Sequence, residues 1–423
     1  MIWKKVTLGD IASNIQTGPF GSQLHQSDYS EEGTPVVMPK DLVNGHISEL
    51  SIARVSEDHV NRLSRHKIEA GDILYSRRGD VGRCAFATDL EQGWLCGTGC
   101  LRVTIDSSKA VPKFVFYQLQ KAETVGWVEK HAVGATMLNL NTSILSSIPI
   151  EMPSIEEQQI IVDMLSAYDD LIENNQKQIK LLEEAAQRLY KEWFVDLRFP
   201  GHETTPITDG IPEEWEKSLL SDIIGYEIGG GWGEEEPTEK CDIPAYVIRG
   251  TDLYGISHGD SLGIPYRYHA EKNLNARKLS DGDIVFEVSG GSKTEGVART
   301  ALIRSAMLEQ WGDAVMCASF CKLIRVKDQN HAQLLFDAFQ YMRASGKTTE
   351  YDKRSASSIV NYRWKDFLST ETVLIPDEKM LAKYNALASN MYDLIIQKSI
   401  AIEKAKDARD RLLPKLMNGE IEV

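Results

Sequence analysis

An internal repeat constrains this chain more than any other feature of its sequence. Each copy has a globular pattern followed by a helical one, which predicts two related halves within one chain, the internal analogue of a symmetric dimer. A chain of this kind suits a target with two halves. The matched pairs, at offsets of 211 to 223 residues, include Trp3 with Trp215, Asp10 with Asp222, Gly71-Asp72-Ile73-Leu74 with Gly282-Asp283-Ile284-Val285, Leu171 with Leu394 and Arg188 with Arg411.

The length and composition fit a protein of two or three domains. With 423 residues and 42% hydrophobic content, each copy has enough apolar surface for a core of its own. No segment resembles a signal peptide, and no apolar run approaches the roughly 18 residues of a membrane span, so we expect a cytoplasmic protein. Six cysteines in so long a chain favour free thiols over a disulfide framework.

The formal net charge of −15 is unevenly distributed. Residues 154–214 hold 5 basic and 14 acidic side chains, whereas residues 1–153 hold 15 and 17, and residues 215–375 hold 19 and 23. Both globular segments are therefore near neutral. Because phosphate binding depends on the local field and not on total charge, the composition neither supports nor excludes nucleic acid as a partner.

A long helical segment ends each copy. Ser154 stands at the N-cap position and Glu157 follows three residues later, which predicts a capping box. Apolar residues then recur with alternating spacings of four and three, which is typical of a heptad seam, and the positions 223 residues later form a weaker seam. The seam positions are Ile161, Leu165, Tyr168, Ile172, Asn175, Ile179, Leu182, Ala186, Leu189 and Trp193, and Tyr384, Ala388, Met391, Ile395, Lys398, Ile402, Ala405, Arg409, Leu412 and Leu416.

We expect the two helices to pack on each other, as a rod of roughly 57 Å at 1.5 Å per residue. The alternative is two unrelated surface helices that dock on their own domains. Asn175 and Lys398 occupy the same seam position near the middle of each helix. A polar residue there either fixes the register of a coiled coil or marks a solvated part of the seam.

The predicted fold class is α+β, with two related α/β domains and two long helices. Short β-rich runs lie between glycine turns in each globular segment. Proline, glycine and acidic residues without apolar periodicity predict an exposed linker between the copies. The boundaries are 1–153 for the first domain, 154–199 for the first helix, 200–214 for the linker, 215–375 for the second domain and 376–423 for the second helix.

Six motifs spread along the chain carry a family resemblance. They are Gly18-Pro19-Phe20-Gly21-Ser22, Gly71-Asp72-Ile73-Leu74-Tyr75-Ser76-Arg77-Arg78-Gly79, Glu156-Glu157-Gln158, Leu189-Tyr190-Lys191-Glu192-Trp193-Phe194-Val195, Gly210-Ile211-Pro212-Glu213-Glu214-Trp215 and Leu412-Leu413-Pro414-Lys415-Leu416-Met417-Asn418-Gly419-Glu420-Ile421. Together with the repeat, these motifs resemble the DNA-specificity subunit of type I restriction-modification enzymes over essentially the whole chain.

The resemblance implies two pseudo-twofold-related target recognition domains, each of which reads one half of a bipartite site in double-stranded DNA. It also implies that the long helices pair antiparallel as a coiled coil and dock modification subunits, two in number, and restriction subunits. This chain would catalyse nothing and hold no cofactor, because S-adenosylmethionine, ATP and Mg²⁺ belong to the partner subunits. An antiparallel pair would bring Asn175 close to Lys398.

Polar and basic residues on glycine-rich loops are the candidate DNA contacts. Arg77, Arg78 and Arg83 are the strongest in the first copy, because an arginine fork binds guanine O6 and N7 in the major groove. The alternative is contact with phosphate or a solvated loop, since half or more of protein–DNA hydrogen bonds go to the backbone. The other candidates are Gln23, His25, Lys40, Thr136 and Asn139 in the first copy, and Ser289, Ser292, Lys293 and Arg299 in the second. Phe20 and Trp232, which follow glycines at matched positions, are expected to be core anchors.

Three competing interpretations remain. The paired C-x3-C segments, Cys96 to Cys100 and Cys317 to Cys321, have the ligands of a zinc site, but that site would join two domains across a long spacer. We therefore expect buried strand cysteines and no metal. An enzyme is disfavoured, because no nucleotide loop or acid/base pair has the required spacing, so no catalytic residue is predicted. The alternative function is a DNA-inactive paralogue that acts as a protein-interaction scaffold.

Overall fold

A computed structural model describes residues 3–134, 137–261, 263–291, 296–354 and 359–423. The chain forms two compact units, one of Met1–Tyr168 with Ala408–Val423 and one of Asp169–Asp407. Each long helix is therefore divided between the two units. The two units do not follow the boundaries of the five predicted segments. Each unit contains one globular copy together with parts of both long helices.

The strands of the first unit pair mostly antiparallel. They are β1 (Lys4–Thr7), β2 (Ala12–Thr17), β3 (Tyr29–Ser30), β4 (Thr34–Val37), β5 (Leu42–Val43), β6 (His46–Ile47), β7 (Ala53–Val55), β8 (Ile73–Ser76), β9 (Cys84–Phe86), β10 (Leu95–Cys96), β11 (Cys100–Ile105) and β12 (Pro149–Met152). The central sheet has the order β2-β11-β8-β9, and a second sheet has the order β10-β4-β7-β3 with β10 parallel to β4. Two further pairs are β1 with β12 and β5 with β6.

Six α-helices begin in the first unit among the residues described, counting the first long helix. They are α1 (Leu8–Ile11), α2 (Glu57–Arg62), α3 (Pro112–Leu119), α4 (Ala122–His131), α5 (Thr142–Ser146) and the first long helix, α6 (Ile155–Tyr190), which continues as a π-helical turn over Lys191–Val195. The core contains Phe114 and Val103 from the globular copy, Leu165 from α6, and Leu416 and Met417 from the end of the chain. The first copy therefore completes its core with parts of both long helices.

The second unit repeats this plan. Its strands are β13 (Ile207–Thr208), β14 (Ile211–Pro212), β15 (Glu216–Leu219), β16 (Ile224–Gly229), β17 (Ile243–Ile248), β18 (Tyr266–His269), β19 (Ile284–Glu287), β20 (Ser289–Gly290), β21 (Thr300–Leu302), β22 (Val315–Cys317), β23 (Cys321–Val326), β24 (Asp352–Arg354), β25 (Val360–Tyr362) and β26 (Thr372–Ile375). Its helices are α7 (Leu220–Ile223), α8 (Glu271–Arg277), α9 (Ser305–Trp311), α10 (Ala332–Ala344), α11 (Trp364–Thr370) and the second long helix, α12 (Glu378–Met417).

The strand orders confirm the internal repeat. The order β16-β23-β19-β21 in the second unit matches β2-β11-β8-β9 in the first, and β15 with β26 matches β1 with β12. The parallel pair of β17 and β22 likewise matches β4 and β10. Both copies are mixed α and β, so the predicted fold class is confirmed at the level of each unit.

A buried aspartate explains why the Gly-Asp motif occurs twice. The carboxylate of Asp72 accepts a hydrogen bond from the backbone N–H of Glu69 at 2.8 Å and lies 3.6 Å from Arg102. In the second copy Asp283 accepts from Ser280 at 2.7 Å and pairs with Arg325 at 2.6 Å. Each carboxylate thus fixes the start of a central strand against its neighbour in the sheet, a structural role that the sequence analysis did not assign.

The N-terminus of α6 confirms the predicted capping box. Ser154 N–H donates to the Glu157 carboxylate at 2.9 Å, and Glu157 N–H donates to Ser154 Oγ at 3.2 Å. These two bonds satisfy backbone donors that the helix itself leaves free. The helix therefore begins where the sequence indicates, immediately after Pro153.

The two long helices run antiparallel. In the first unit the start of α6 shares a core with the end of α12, since Leu165 clusters with Leu416. In the second unit the end of the first helix meets the start of the second, with the rings of Phe194 and Tyr384 4.8 Å apart. The seam positions on both helices are all buried or half-buried, Asn175 buried and Lys398 half-buried among them. A close approach of Asn175 and Lys398 stays a prediction.

The repeated tryptophans anchor the helix ends. Trp3 packs on Phe114 at 6.2 Å, and a Cβ atom at Gly419, just past the end of α12, would lie 3.3 Å from the Trp3 ring. Trp215 packs on Phe199 at 4.5 Å and on Phe194 at 5.4 Å, just past the end of α6. Each globular copy therefore begins against the end of the long helix that belongs to the other copy.

A buried carboxyl joins α10 to the second long helix. Asp337 is 6% exposed, and its carboxylate accepts hydrogen bonds from the Tyr384 hydroxyl at 2.7 Å and from Gln333 Nε2 at 3.1 Å. Burial raises the pKa of Asp337 to about 7, against the lowering effect of these bonds and of Arg304. The native state therefore holds a proton that the unfolded chain releases near pH 4.

This linkage predicts that the free energy of unfolding falls as pH rises from about 4 to about 7, because the native pKa lies above the unfolded one. Asp337→Asn should remove this loss, which is on the order of 3 kcal/mol between pH 5 and pH 8. Urea unfolding of both proteins at pH 5 and pH 8 measures the effect. Asp366→Asn, on the surface of α11, is the control and should keep the wild-type pH dependence. An identical pH dependence for wild type and Asp337→Asn would contradict the assignment.

Candidate nucleic-acid interface

Loops from distant parts of the first copy meet at one edge of its central sheet. Because β11 is antiparallel to both β2 and β8, the ends of β2 and β8 and the start of β11 lie together. Arg77 N–H donates to the Gly99 carbonyl at 2.8 Å, and Thr98 Oγ1 donates to the Pro19 carbonyl at 3.0 Å. The N–H of Gly79 donates to the Leu138 carbonyl at 3.1 Å, which brings the loop around Leu138 to the same edge.

Arg77 lies on this edge against an exposed aromatic ring. Its guanidinium carbon is 5.7 Å from the centroid of the Phe20 ring, and Phe20 is 51% exposed. The expectation that Phe20 is a core anchor is therefore wrong: the glycines around it place the ring on the surface, where a guanidinium covers one face. Arg77 Nε is buried and has no hydrogen-bond partner among the residues described.

Arg78 and Asn139 are the other candidates brought to the same place. Their backbones form an antiparallel bridge, and the Arg78 side chain is exposed. The Asn139 side-chain oxygen is buried, and no described residue donates a hydrogen bond to it. Arg83 is exposed nearby, but Asp80 accepts from its Nε at 3.0 Å and from its Nη2 at 2.8 Å. The edge thus presents basic side chains, of which Arg83 has a local counter-charge.

The weaker candidates of the first copy have local partners. Gln23 Oε1 accepts from the Phe20 N–H at 3.1 Å and so shapes the loop that carries the ring. The Lys40 ammonium donates to the Ser51 carbonyl at 2.8 Å, and the His25 side chain is exposed. Thr136 lies outside the described residues.

In the second copy the matched edge contains a cavity of about 650 Å³. It lies where β16 and β19 end and β23 begins, as the corresponding loops do in the first copy. The floor is charged and the rim is aromatic, with Trp232 41% and Phe320 52% exposed. The lining residues are Trp232, Arg249, Gly250, Thr251, Glu287, Ser289, Gly290, Gly291, Arg299, Ala318, Ser319 and Phe320.

A buried ion pair forms the floor of this cavity. Arg299 donates from Nε and Nη2 to the two carboxylate oxygens of Glu287 at 2.8 and 2.6 Å, and Glu287 is 1% exposed. A Cβ atom at Gly250 would lie 2.4 Å from the Glu287 carboxylate, so a side chain there would displace it. The bidentate geometry holds the guanidinium of Arg299 in one orientation.

Of the remaining candidates in the second copy, one lies at the cavity and two lie outside the described residues. Ser289 lines the cavity, and its hydroxyl donates to the side-chain oxygen of Asn361 at 3.0 Å. Ser292 and Lys293 lie outside the described residues. Trp232 is exposed and covered on one face by Arg267, whose guanidinium carbon is 4.7 Å from the ring, so the core-anchor expectation is wrong here too.

Backbone register shows which residues correspond between the copies. Ser76 N–H donates to the Arg83 carbonyl at 2.8 Å, and Glu287 N–H donates to the Arg299 carbonyl at 2.9 Å. Glu287 therefore stands where the first copy has Ser76, and Arg299 where it has Arg83. Sequence reasoning missed Glu287 because a lone glutamate at the end of a strand has no spacing signal.

The C-x3-C cysteines lie in strands or next to them, within the cores. Cys96, Cys100, Cys317 and Cys321 are all buried and free. Burial raises the pKa of Cys96 and of Cys317 to about 12, which disfavours the thiolate that a metal requires. Over the ranges described, no group of three or more His, Cys, Asp or Glu side chains could hold a metal ion, and no helix is long and apolar enough to span a membrane.

Because of the ion pair, we expect alanine substitution to lower stability more at Glu287 than at the matched Ser76. Glu287→Ala should lower the free energy of unfolding by about 3–5 kcal/mol, because it removes the buried carboxylate that pairs with Arg299. Ser76→Ala is the matched control in the first copy. It should cost about 1 kcal/mol, because it removes one hydrogen bond, from Ser76 Oγ to the Arg78 carbonyl at 3.1 Å. Chemical unfolding of the full chain measures both. Equal, small losses would show that the pair contributes little.

Comparisons with known proteins agree with this geometry. Residues 2–184 match the family described as the type I restriction modification DNA specificity domain. The MjaIX specificity subunit of Methanocaldococcus jannaschii is 27% identical over 92% of this chain and 87% of its own length. The HindI specificity subunit of Haemophilus influenzae is 28% identical over 99% of both chains.

The fold has a match among solved structures. The S subunit of a type I restriction-modification system from M. genitalium superposes with a TM-score of 0.60 at 16% identity, over 98% of this chain and 96% of that one. Residues 2–184 are thus similar to the DNA specificity domain of type I restriction-modification systems, and the similarity to specificity subunits of such systems extends over most of the chain.

Proposed function

We propose that this chain is the non-catalytic specificity subunit of a type I restriction-modification complex. Each globular copy, as a target recognition domain, reads one half of a bipartite site in double-stranded DNA. Sequence recognition of DNA is the role of the family, and the division into two half-sites rests on the repeat. Methylation and ATP-dependent cleavage then belong to partner subunits, which also hold S-adenosylmethionine, ATP and Mg²⁺.

The observation that carries the proposal is the convergence of loops at matched sheet edges. In the first copy this edge presents Arg78, together with the unsatisfied Arg77 Nε and Asn139 Oδ1. Buried polar atoms without a protein partner are unfavourable, so a ligand or water at this edge stabilises them. In the second copy the bidentate pair with Glu287 holds the Arg299 guanidinium at the same edge in one orientation.

The long helices offer apolar surface for protein partners. Leu171 and Leu394, which are equivalent in the repeat, are 45% and 43% exposed, and Leu387, two turns before Leu394, is 49% exposed. Exposed leucines on a helix are a typical docking surface for another helix. We propose that modification subunits, two in number, bind here and that restriction subunits join the complex. Because such a complex acts on cellular DNA, we propose a cytoplasmic location for this chain.

Arg78→Ala tests the function at an exposed side chain. If Arg78 reads a base, binding to the cognate duplex should weaken by about 1–3 kcal/mol while binding to random DNA changes little. The preference should relax in one half-site only. Fluorescence titration of cognate and random duplexes, with the modification subunit present, measures the difference.

Lys177→Ala is the control for loss of positive charge, since Lys177 is an exposed residue on α6 paired with Glu173. It should leave cognate binding unchanged. Equal losses on cognate and random DNA would assign Arg78 to phosphate. A wild-type complex with no preference for any duplex would instead favour the protein-interaction scaffold.

A further inference from the structure

The two copies differ in the segment that follows a shared turn. The carboxylate of Asp41 accepts from the Met38 N–H at 2.8 Å, and that of Asp252 accepts from the Arg249 N–H at 2.8 Å. After this turn the first copy forms the β5–β6 hairpin, whose Gly45 packs against Phe116 and Gln120 of its own domain. The second copy instead places residues 254–261, which we call the strap, on the long helices.

Three residues on one face of α12 bind the strap. Ser399 Oγ accepts from the Gly259 N–H at 2.8 Å and donates to the Ile256 carbonyl at 3.1 Å. Lys406 Nζ donates to the Gly259 carbonyl at 2.8 Å. The Glu403 carboxylate accepts from the Ser261 N–H and from the side chain of Gln310. Ser399 and Glu403 are 2% and 4% exposed, so these bonds are shielded from water.

The strap also reaches the first long helix. His258 Nε2 lies 3.3 Å from the Glu183 carboxylate, and the His258 ring stacks on Tyr254 with a centroid distance of 3.7 Å. Glu183 and Lys406 are equivalent positions of the repeat, 223 residues apart. The strap is therefore held by matched residues of both helices.

Close contact with α12 requires glycine at position 259. The φ angle of Gly259 is +72°, and a Cβ atom there would lie 2.5 Å from Cγ2 of Ile402. Ile402 is a fully buried seam residue. The strap thus lies directly on the seam of the long helices, and its backbone approaches too closely for any other residue.

We infer that the strap sets the gap between the two DNA half-sites, an inference that rests on the proposed function. Apolar contacts alone are non-directional and tolerate sliding. Buried hydrogen bonds do not, because a shift of one residue along α12, about 1.5 Å and 100°, leaves their partners unsatisfied. The strap therefore fixes the second recognition domain on the helix pair. Changing the gap by one base pair moves a half-site by about 3.4 Å along the duplex and rotates it by about 35°, which a rigid attachment resists.

The test replaces two residues of α12 that form hydrogen bonds with the strap, in the full chain. The double variant Ser399→Ala/Glu403→Ala, in complex with the modification subunit, is titrated with duplexes that carry the native gap, one base pair more, and one fewer. Wild type should prefer the native gap by about 10-fold or more, the typical effect of one wrong position. The double variant should lower this preference to about 3-fold or less, since both buried acceptors are lost. Methylation mapping should show unchanged half-site bases with variable gaps.

The repeat supplies the matched control. Gln176→Ala/Lys180→Ala changes the equivalent positions of α6, where both side chains are exposed, and should keep the wild-type gap preference. If the double variant does not fold, Lys406→Met removes one bond to the strap and should relax the preference by a smaller factor.

Two results would overturn the inference. A folded variant with the wild-type gap preference would show that the strap does not set the gap. Altered half-site bases would show that the strap reads DNA instead. A wild-type complex that binds no bipartite site would overturn the proposed function itself, so the two failures are distinguishable.

Discussion

Burial of the apolar side chains on the two long helices is the interaction on which the rest of this structure depends. Ile161, Leu165 and Ile179 on the first helix and Ile395 and Ile402 on the second are at most 2% exposed. Each globular copy packs its core on these helices and begins against the end of the helix from the other copy. Neither copy can bury its own apolar surface fully without both helices. Within each unit, the candidate nucleic-acid interface therefore belongs to a core that includes parts of both helices.

The two copies share one backbone register but carry different side chains at matched positions of the sheet edge. Buried aspartates, Asp72 and Asp283, brace the central sheet of each copy through an arginine on the neighbouring strand. Because the fold is fixed there, residues at the sheet edge vary without disturbing the core. Ser76 in one copy and Glu287 in the other occupy the same position, one beside an arginine-rich loop and the other at the floor of a cavity. The pattern fits two domains of one plan that read different DNA bases.

Periodic features could be predicted from the sequence, and contacts between distant loops could not. The heptad seam, the capping box at Ser154 and the repeat depend on local spacing, which is visible in a linear chain. The exposed positions of Phe20 and Trp232 depend on how glycine loops fold back, and both were expected in the core. The Glu287–Arg299 pair and the contact of Gly259 with Ile402 join residues far apart in sequence. No spacing rule marks such pairs, and a single glycine has many local explanations.

We propose that two separate recognition domains in this chain read a bipartite DNA site. The most direct measurement is to produce the chain with a modification subunit of its system in cells that lack other methyltransferases, and to map methylated adenines across the genome. Two recognition domains predict one methylated motif with two specified halves, separated by a gap of constant length in which any base is allowed. Methylation at a single continuous motif, or without sequence preference, would contradict it.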